Sequence, residues 1–256
     1  MGKTLIPMLR DEYEITHFDV ADPGDGLPFI QGDLRDLASV EKACAGKDAV
    51  LHIAALHGQA WNRAGDTAGF DVNVTGTKNI LEGAVKQGVK RVIYTSSINA
   101  VGGVPPFPID ENSKNEALHL YGLTKTLGET MCAYYSARFG ISTICLRPGG
   151  ILNPRDSVAK YGFPTACWCV DPRDVAQAHK LALEAVLSVK HDVFNITSEL
   201  LTDIEGYKKN PAAAFKKKYP DMVAALPADV DFAKLEWYSI EKAKRVLGYN
   251  PKYGLI

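Results

Sequence analysis

The chain has 256 residues, a formal net charge of −1 and 46% hydrophobic residues, the proportions of an ordinary packed globule with room for one large α/β domain. Such a charge sets up no overall field toward nucleic acid or an anionic membrane, and no apolar run reaches the length of a bilayer crossing. The five cysteines (Cys44, Cys132, Cys145, Cys167 and Cys169) form neither a disulfide framework nor a metal-ligand spacing, so we expect a cytoplasmic protein without a metal site or a nucleic-acid or membrane partner.

In chain order, residues 4–10 read as a helix, 15–20 as a strand, 37–45 as a helix and 49–53 as a strand. Helices at 71–87, 121–139 and 174–186 then alternate with strands at 91–96, 142–147 and 193–196. Cys167 and Cys169 read as alternate positions of a further buried strand, and Lys216-Lys217-Lys218 as a solvated helix face. Alternating short strands and longer helices predict a doubly wound parallel sheet of the Rossmann type. The strands are near-continuous apolar runs, as expected when both faces of a sheet are covered. Residues 1–150 form the expected nucleotide-binding part. Residues 151–256 supply the last strands and a small substrate cap. The beginning departs from this pattern. A nucleotide-binding α/β domain opens with a strand and a glycine-rich turn, whereas Met1-Gly2-Lys3 leads straight into a helix. Gly2 fits the last glycine of such a turn. We therefore expect that a strand and a turn, about a dozen residues, precede this stretch in a longer form. The chain as it stands should then bind a dinucleotide weakly, and the sheet should break between residues 15–20 and 49–53.

Tyr121-Gly122-Leu123-Thr124-Lys125 carries the strongest chemical signal. Spacing of four places both side chains on one helical face. A phenol is a poor base at neutral pH, but an ammonium beside it stabilises the phenolate and lowers its pKa. A phenol so tuned can take a proton from a hydroxyl or return it to a carbonyl. Upstream, a strand ends in Tyr94-Thr95-Ser96-Ser97-Ile98-Asn99, and strand ends on this side of an open sheet line the ligand crevice. A serine there can orient a reacting oxygen toward Tyr121. The plainer alternatives are a surface Tyr–Lys pair and serines that cap a turn.

With these residues in place, the chain resembles the extended short-chain dehydrogenase/reductase family, the NAD-dependent epimerase/dehydratase group. His52-Ile53-Ala54-Ala55 is similar to its fourth-strand H-x-A-A, Gly32-Asp33-Leu34 to its adenine-contacting segment, and Asn73-Val74-Thr75-Gly76-Thr77 to its N-V-x-G-T helix. Residues 170–176 and 240–251 resemble two further segments. The resemblance implies Ser97, Tyr121 and Lys125 as the catalytic set. It implies NAD held by Gly2, Asp19, Asp33, Leu34, Ala54, Ala55, Ser96, Tyr121 and Lys125. Asp19, at a strand end, would bind the adenosine ribose hydroxyls and repel a 2′-phosphate; otherwise it caps a turn. Ser97, Asn99, Gly150 and Arg155 would face a sugar or sugar-nucleotide substrate. A homodimer is implied through the helices at 71–87 and 121–139, with Val74, Ile80, Leu81, Met131 and Tyr135 as surplus apolar positions.

One departure bears on the substrate. Where sugar-nucleotide members show R-x-x-N-V-Y-G-P-R, this chain has Arg147-Pro148-Gly149-Gly150-Ile151-Leu152-Asn153-Pro154-Arg155. Gly150 stands in the Asn position, and the segment that follows is short. That admits a uronate-dehydrogenase-like reading, with Arg155 or Lys160 holding a carboxylate. A non-catalytic relative that keeps the fold is the third reading.

Overall fold

The computed structural model describes residues 1–255. Its elements run α1 (Gly2–Leu9), β1 (His17–Asp19), β2 (Phe29–Gln31), α2 (Leu37–Cys44), β3 (Ala49–His52), α3 (Gly58–Ala64) and α4 (Asp66–Phe70). A π-turn at Asp71–Thr75 continues α4 into α5 (Gly76–Lys86), followed by β4 (Arg91–Thr95), α6 (Leu120–Phe139) and β5 (Ser142–Pro148). After β6 (Gly150–Ile151), α7 (Pro154–Tyr161), α8 (Phe163–Ala166) and β7 (Cys169–Val170) come α9 (Pro172–Glu184) and β8 (His191–Ile196). The last elements are α10 (Ile204–Lys209), α11 (Pro211–Lys218), α12 (Pro220–Ala224) and α13 (Glu241–Leu247).

The protein is α/β with a parallel sheet. Strands β3, β4, β5 and β8 pair in that order, with His52 beside Tyr94, Thr95 beside Leu146 and Pro148 beside Ile196. Successive side chains of a strand face opposite ways, which explains the unbroken apolar runs. Ile93, Ile144 and Leu146 join the core under α9 and α13, whereas Val92, Tyr94 and Cys145 join the core under α2, α5 and α6. The short parallel pair β1–β2 forms its own sheet; among the described residues, no strand hydrogen-bonds to both β1 and β3. Helix α1 lies against α9 and β3, burying Leu5 and Leu9 beside Ala176, with Leu51 and Ile53 at the edge of the cluster.

Three readings change. Ile80 and Leu81 pack into the chain's own core instead of standing surplus. Cys167 ends α8, and only Cys169 lies in a strand. Lys216 and Lys217 are exposed as expected, but Lys218 donates to the Glu199 carbonyl at 3.0 Å. A further core joins Ile98, Val101, Phe107 and Ile109, from the stretch after β4, to Phe163, Tyr207, Phe215, Tyr219 and Trp237.

Two buried histidines make the fold acid-sensitive. His52 bonds Thr77, and His179 lies between Thr95 and the Val175 carbonyl. Burial lowers their pKa values to about 3 and about 4 from an ordinary 6.5. The unfolded chain therefore takes up these protons first. The two histidines leave stability unchanged above pH ~6.5, and each lowers it by ~1.4 kcal/mol per pH unit as pH drops toward ~4. Denaturant melts at pH 7 and pH 5 should show this loss, and equal midpoints would contradict it.

Candidate active site

The C-terminal end of β4 and the first turn of α6 meet at a cavity of about 1040 Å³. Its wall includes Ala55, Ser96, Ser97, Asn99, Tyr121, Lys125 and Gly150 from the sequence-derived set. Helix α6 starts where the His119 ring nitrogen accepts the Gly122 N–H at 3.0 Å, and Thr126 ties it to the turn after β4 by donating to the Ala100 carbonyl at 3.0 Å. These contacts bring Tyr121 to Ser97. The Ser97 oxygen accepts from the Asn99 backbone at 3.2 Å and from its amide at 3.3 Å, which leaves the serine proton free beside the Tyr121 phenol, whose pKa Ser97 acts to lower.

Lys125 is buried one turn further along. Its ammonium donates to the Thr95 carbonyl at 2.8 Å and lies 4.9 Å from the Tyr94 ring centre and 5.8 Å from that of Tyr121. Loss of water lowers its pKa to about 8. Tyr121 behaves differently from the sequence expectation. Burial raises its pKa, and the Ser97 bond only partly opposes this. The ammonium is engaged by a backbone carbonyl, and burial outweighs its attraction for a phenolate.

Beneath the pair, Glu129 continues the same face of α6. It accepts from Ser96 at 2.6 Å and from two Arg147 nitrogens at 2.7 Å each; Arg147 also reaches Asn115 at 3.0 Å. Glu129 and Arg147 are both buried, their side chains 5% and 3% exposed. Glu129 carries a spacing signal in the sequence, since Tyr121, Lys125 and Glu129 follow one another at successive fours. Around Tyr121 stand the rings of His57, Trp61 and His119, with centres 6.2, 6.1 and 6.0 Å away. Trp168 covers Gly150, where a side chain would strike its ring at 2.3 Å. That contact accounts for glycine at this position. Neither the ring cluster nor Trp168 has a signal in local spacing.

Other expected residues lie apart. Gly2 opens α1 and is exposed, while Met1 reaches the cavity wall. Ala54 is exposed and off the wall. Asp19 accepts its neighbour's Val20 N–H at 2.7 Å, a turn-capping contact, and Asp33 is closed by Arg35 at 2.6 Å. Leu34 packs into the core under α5. Arg155 is exposed on α7, outside the cavity, as is Lys160. Among the described residues, no group of His, Cys, Asp or Glu side chains is arranged to hold a metal, and no helix is long and apolar enough to cross a membrane.

Comparison with known proteins decides the family. Residues 1–165 match the model of the NAD dependent epimerase/dehydratase family. The chain belongs to this family. It is 35% identical over 162 residues to short-chain dehydrogenase/reductase family 42E member 1 of Danio rerio, covering 57% of this chain and 42% of that one. It is 34% identical over 155 residues to a uronate dehydrogenase of Pseudomonas syringae pv. tomato, covering 58% and 55%. The chain thus spans only about half the length of these curated relatives. A short-chain dehydrogenase/reductase superfamily protein from Agrobacterium tumefaciens with bound NAD superimposes with a TM-score of 0.75 at 22% identity, covering 99% of this chain and 90% of that one. That likeness shows a shared fold.

The family's cofactor, NAD, can be tested against these residues. On this wall Tyr121 and Lys125 offer a phenol and an ammonium donor suited to a nicotinamide ribose. Asp19, exposed at the end of β1, suits ribose hydroxyls from outside the cavity. The residues present fit the group.

Proposed function

We propose that the chain is an NAD-dependent oxidoreductase that interconverts a hydroxyl and a carbonyl on a sugar-type substrate, with Tyr121 as general acid/base. One observation carries this reading: Ser97, Tyr121 and Lys125 converge on one cavity at the end of a parallel strand. Bound NAD would supply the hydride acceptor or donor at the reacting carbon. The chain's residues manage the proton and the oxygen. Ser97 holds the reacting oxygen, and Tyr121 takes the hydroxyl proton as the carbon becomes a carbonyl or returns it in the reverse direction. Lys125 holds the ribose and offsets negative charge on the phenol. Trp61, Trp168 and Ile98 limit water at the site. The similar uronate dehydrogenase supports a sugar-type substrate. The test is NADH formation by the wild type across a panel of neutral sugars, uronates and nucleotide sugars; no NADH with any member would sink the reading.

We read NAD as the preferred cofactor because Asp19 would repel a 2′-phosphate. Calorimetry should give at least tenfold tighter binding of NAD than of NADP, and Asp19→Ala should narrow the gap; equal affinities in the wild type would contradict this. We also propose a homodimer. Tyr134 and Phe139 on α6 are 57% and 49% exposed, an apolar surplus that a second copy would cover.

A further inference from the structure

The cavity wall that holds Ser97 and Tyr121 also includes Glu236, from the segment between α12 and α13. Its carboxylate is held in place by the Tyr238 hydroxyl, which donates to one oxygen at 2.5 Å. Gly103 makes room for it: a side chain there would meet the carboxyl carbon at 2.5 Å. Among the described residues, no lysine, arginine or histidine pairs with Glu236, although Lys234 close by pairs with Asp231 at 3.3 Å. Asp66 adds a second carboxylate to the wall, bonded to the Trp61 indole at 2.8 Å. Lys125 is the single lysine or arginine lining the cavity, and it is engaged by Thr95.

We propose that Glu236 is a specificity-determining residue that selects a neutral sugar and rejects uronates and nucleotide sugars. This inference deepens the oxidoreductase reading and rests on it for the chemistry, though not for the binding. A carboxylate or diphosphate is ordinarily met by a bidentate guanidinium or a free ammonium. This wall presents the carboxylates of Glu236 and Asp66 instead, and like charges brought together repel. A pinned carboxylate with a free oxygen accepts hydrogen bonds from adjacent sugar hydroxyls. The indole faces of Trp61 and Trp168 suit the C–H face of the same ring. Arg155, the residue best suited by sequence to hold a carboxylate, stands outside the cavity.

The experiment measures binding and turnover separately on the full chain. Saturation-transfer NMR with D-glucose, D-galactose and L-arabinose, and with D-glucuronate, D-galacturonate and UDP-glucose, reads affinity without reference to hydride transfer. NADH formation is then followed with the same compounds. We expect the neutral sugars to bind at least about tenfold better than the matching uronates. Glu236→Gln keeps the shape and the Tyr238 contact and should shrink that ratio toward one. Gly103→Ala, which displaces the carboxylate and leaves it charged, should weaken the neutral sugars. A wild type that prefers a uronate or UDP-glucose, binds none of the six, or keeps its ratio in Glu236→Gln overturns the proposal. Selective binding of neutral sugars without NADH formation would instead remove the oxidoreductase reading and leave the selectivity standing.

Discussion

Tyr121→Phe should lower turnover by a factor on the order of 10² or more, the usual contribution of a positioned acid/base group. The substitution removes only the phenolic oxygen. The ring keeps its place among His57, Trp61 and His119, so binding of substrate and cofactor should change little and the loss should fall on kcat. Ser97 would lose its phenol partner but remain anchored by Asn99 at 3.2 Å. The phenol's raised pKa means that the free enzyme holds it protonated at neutral pH, ready to donate in the reductive direction. Steady-state kinetics of the two proteins with one substrate check this. Near wild-type turnover in the phenylalanine variant would remove Tyr121 from the chemistry.

Removing either partner of the Glu129–Arg147 pair should cost about 3–5 kcal/mol of folding stability. Both charges are out of water, and Glu129→Gln leaves a buried guanidinium facing a neutral amide. Arg147→Met leaves a buried carboxylate with only Ser96 as donor. One Arg147 nitrogen, Nη1, already lacks a partner among the described residues, so the pair has little margin for compensation. Exchanging both residues for apolar ones of similar volume should recover much of the loss, because no orphan charge is then left. Denaturant unfolding of the two single variants and the double variant measures this. A loss below about 1 kcal/mol in both singles would show that water reaches the pair.

The convergence of Ser97, Tyr121 and Lys125 on one cavity was legible in the sequence because its geometry is local. A spacing of four on one helix joins Tyr121 to Lys125, and the serine lies at the end of the preceding strand, where an open parallel sheet presents its ligands. The same spacing pointed on to Glu129 and needed only one more turn of reading. The alternation of strand and helix gave the sheet, and the continuous apolar runs of β4 and β5 gave its two covered faces. Strand β2 has three residues after a proline-glycine stretch, too short for any periodicity to show. The π-turn at Asp71–Thr75 is hidden because a helical pattern continues through it. Trp61, Trp168 and Glu236 come to the cavity from a loop helix, a connection and the segment between α12 and α13, so only tertiary packing reveals them. Asp33 lies at a position that the sequence marked, yet its carboxylate is taken up by Arg35, while Asp19 gives one oxygen to the Val20 N–H and keeps the other. Short polar side chains near turns often bond their own backbone, and spacing cannot tell that use from ligand binding.

The central claim, hydride transfer at the Tyr121 site, is tested most directly by following the hydride itself. Wild type and Tyr121→Phe would be incubated with NAD and sugars deuterated at the oxidisable carbon, and the reduced cofactor analysed by mass spectrometry. The account predicts deuterated NADH from the wild type with at least one neutral sugar, and about a hundredfold less from the variant over the same time. No deuterated NADH from any sugar, or equal amounts from the two proteins, would contradict it.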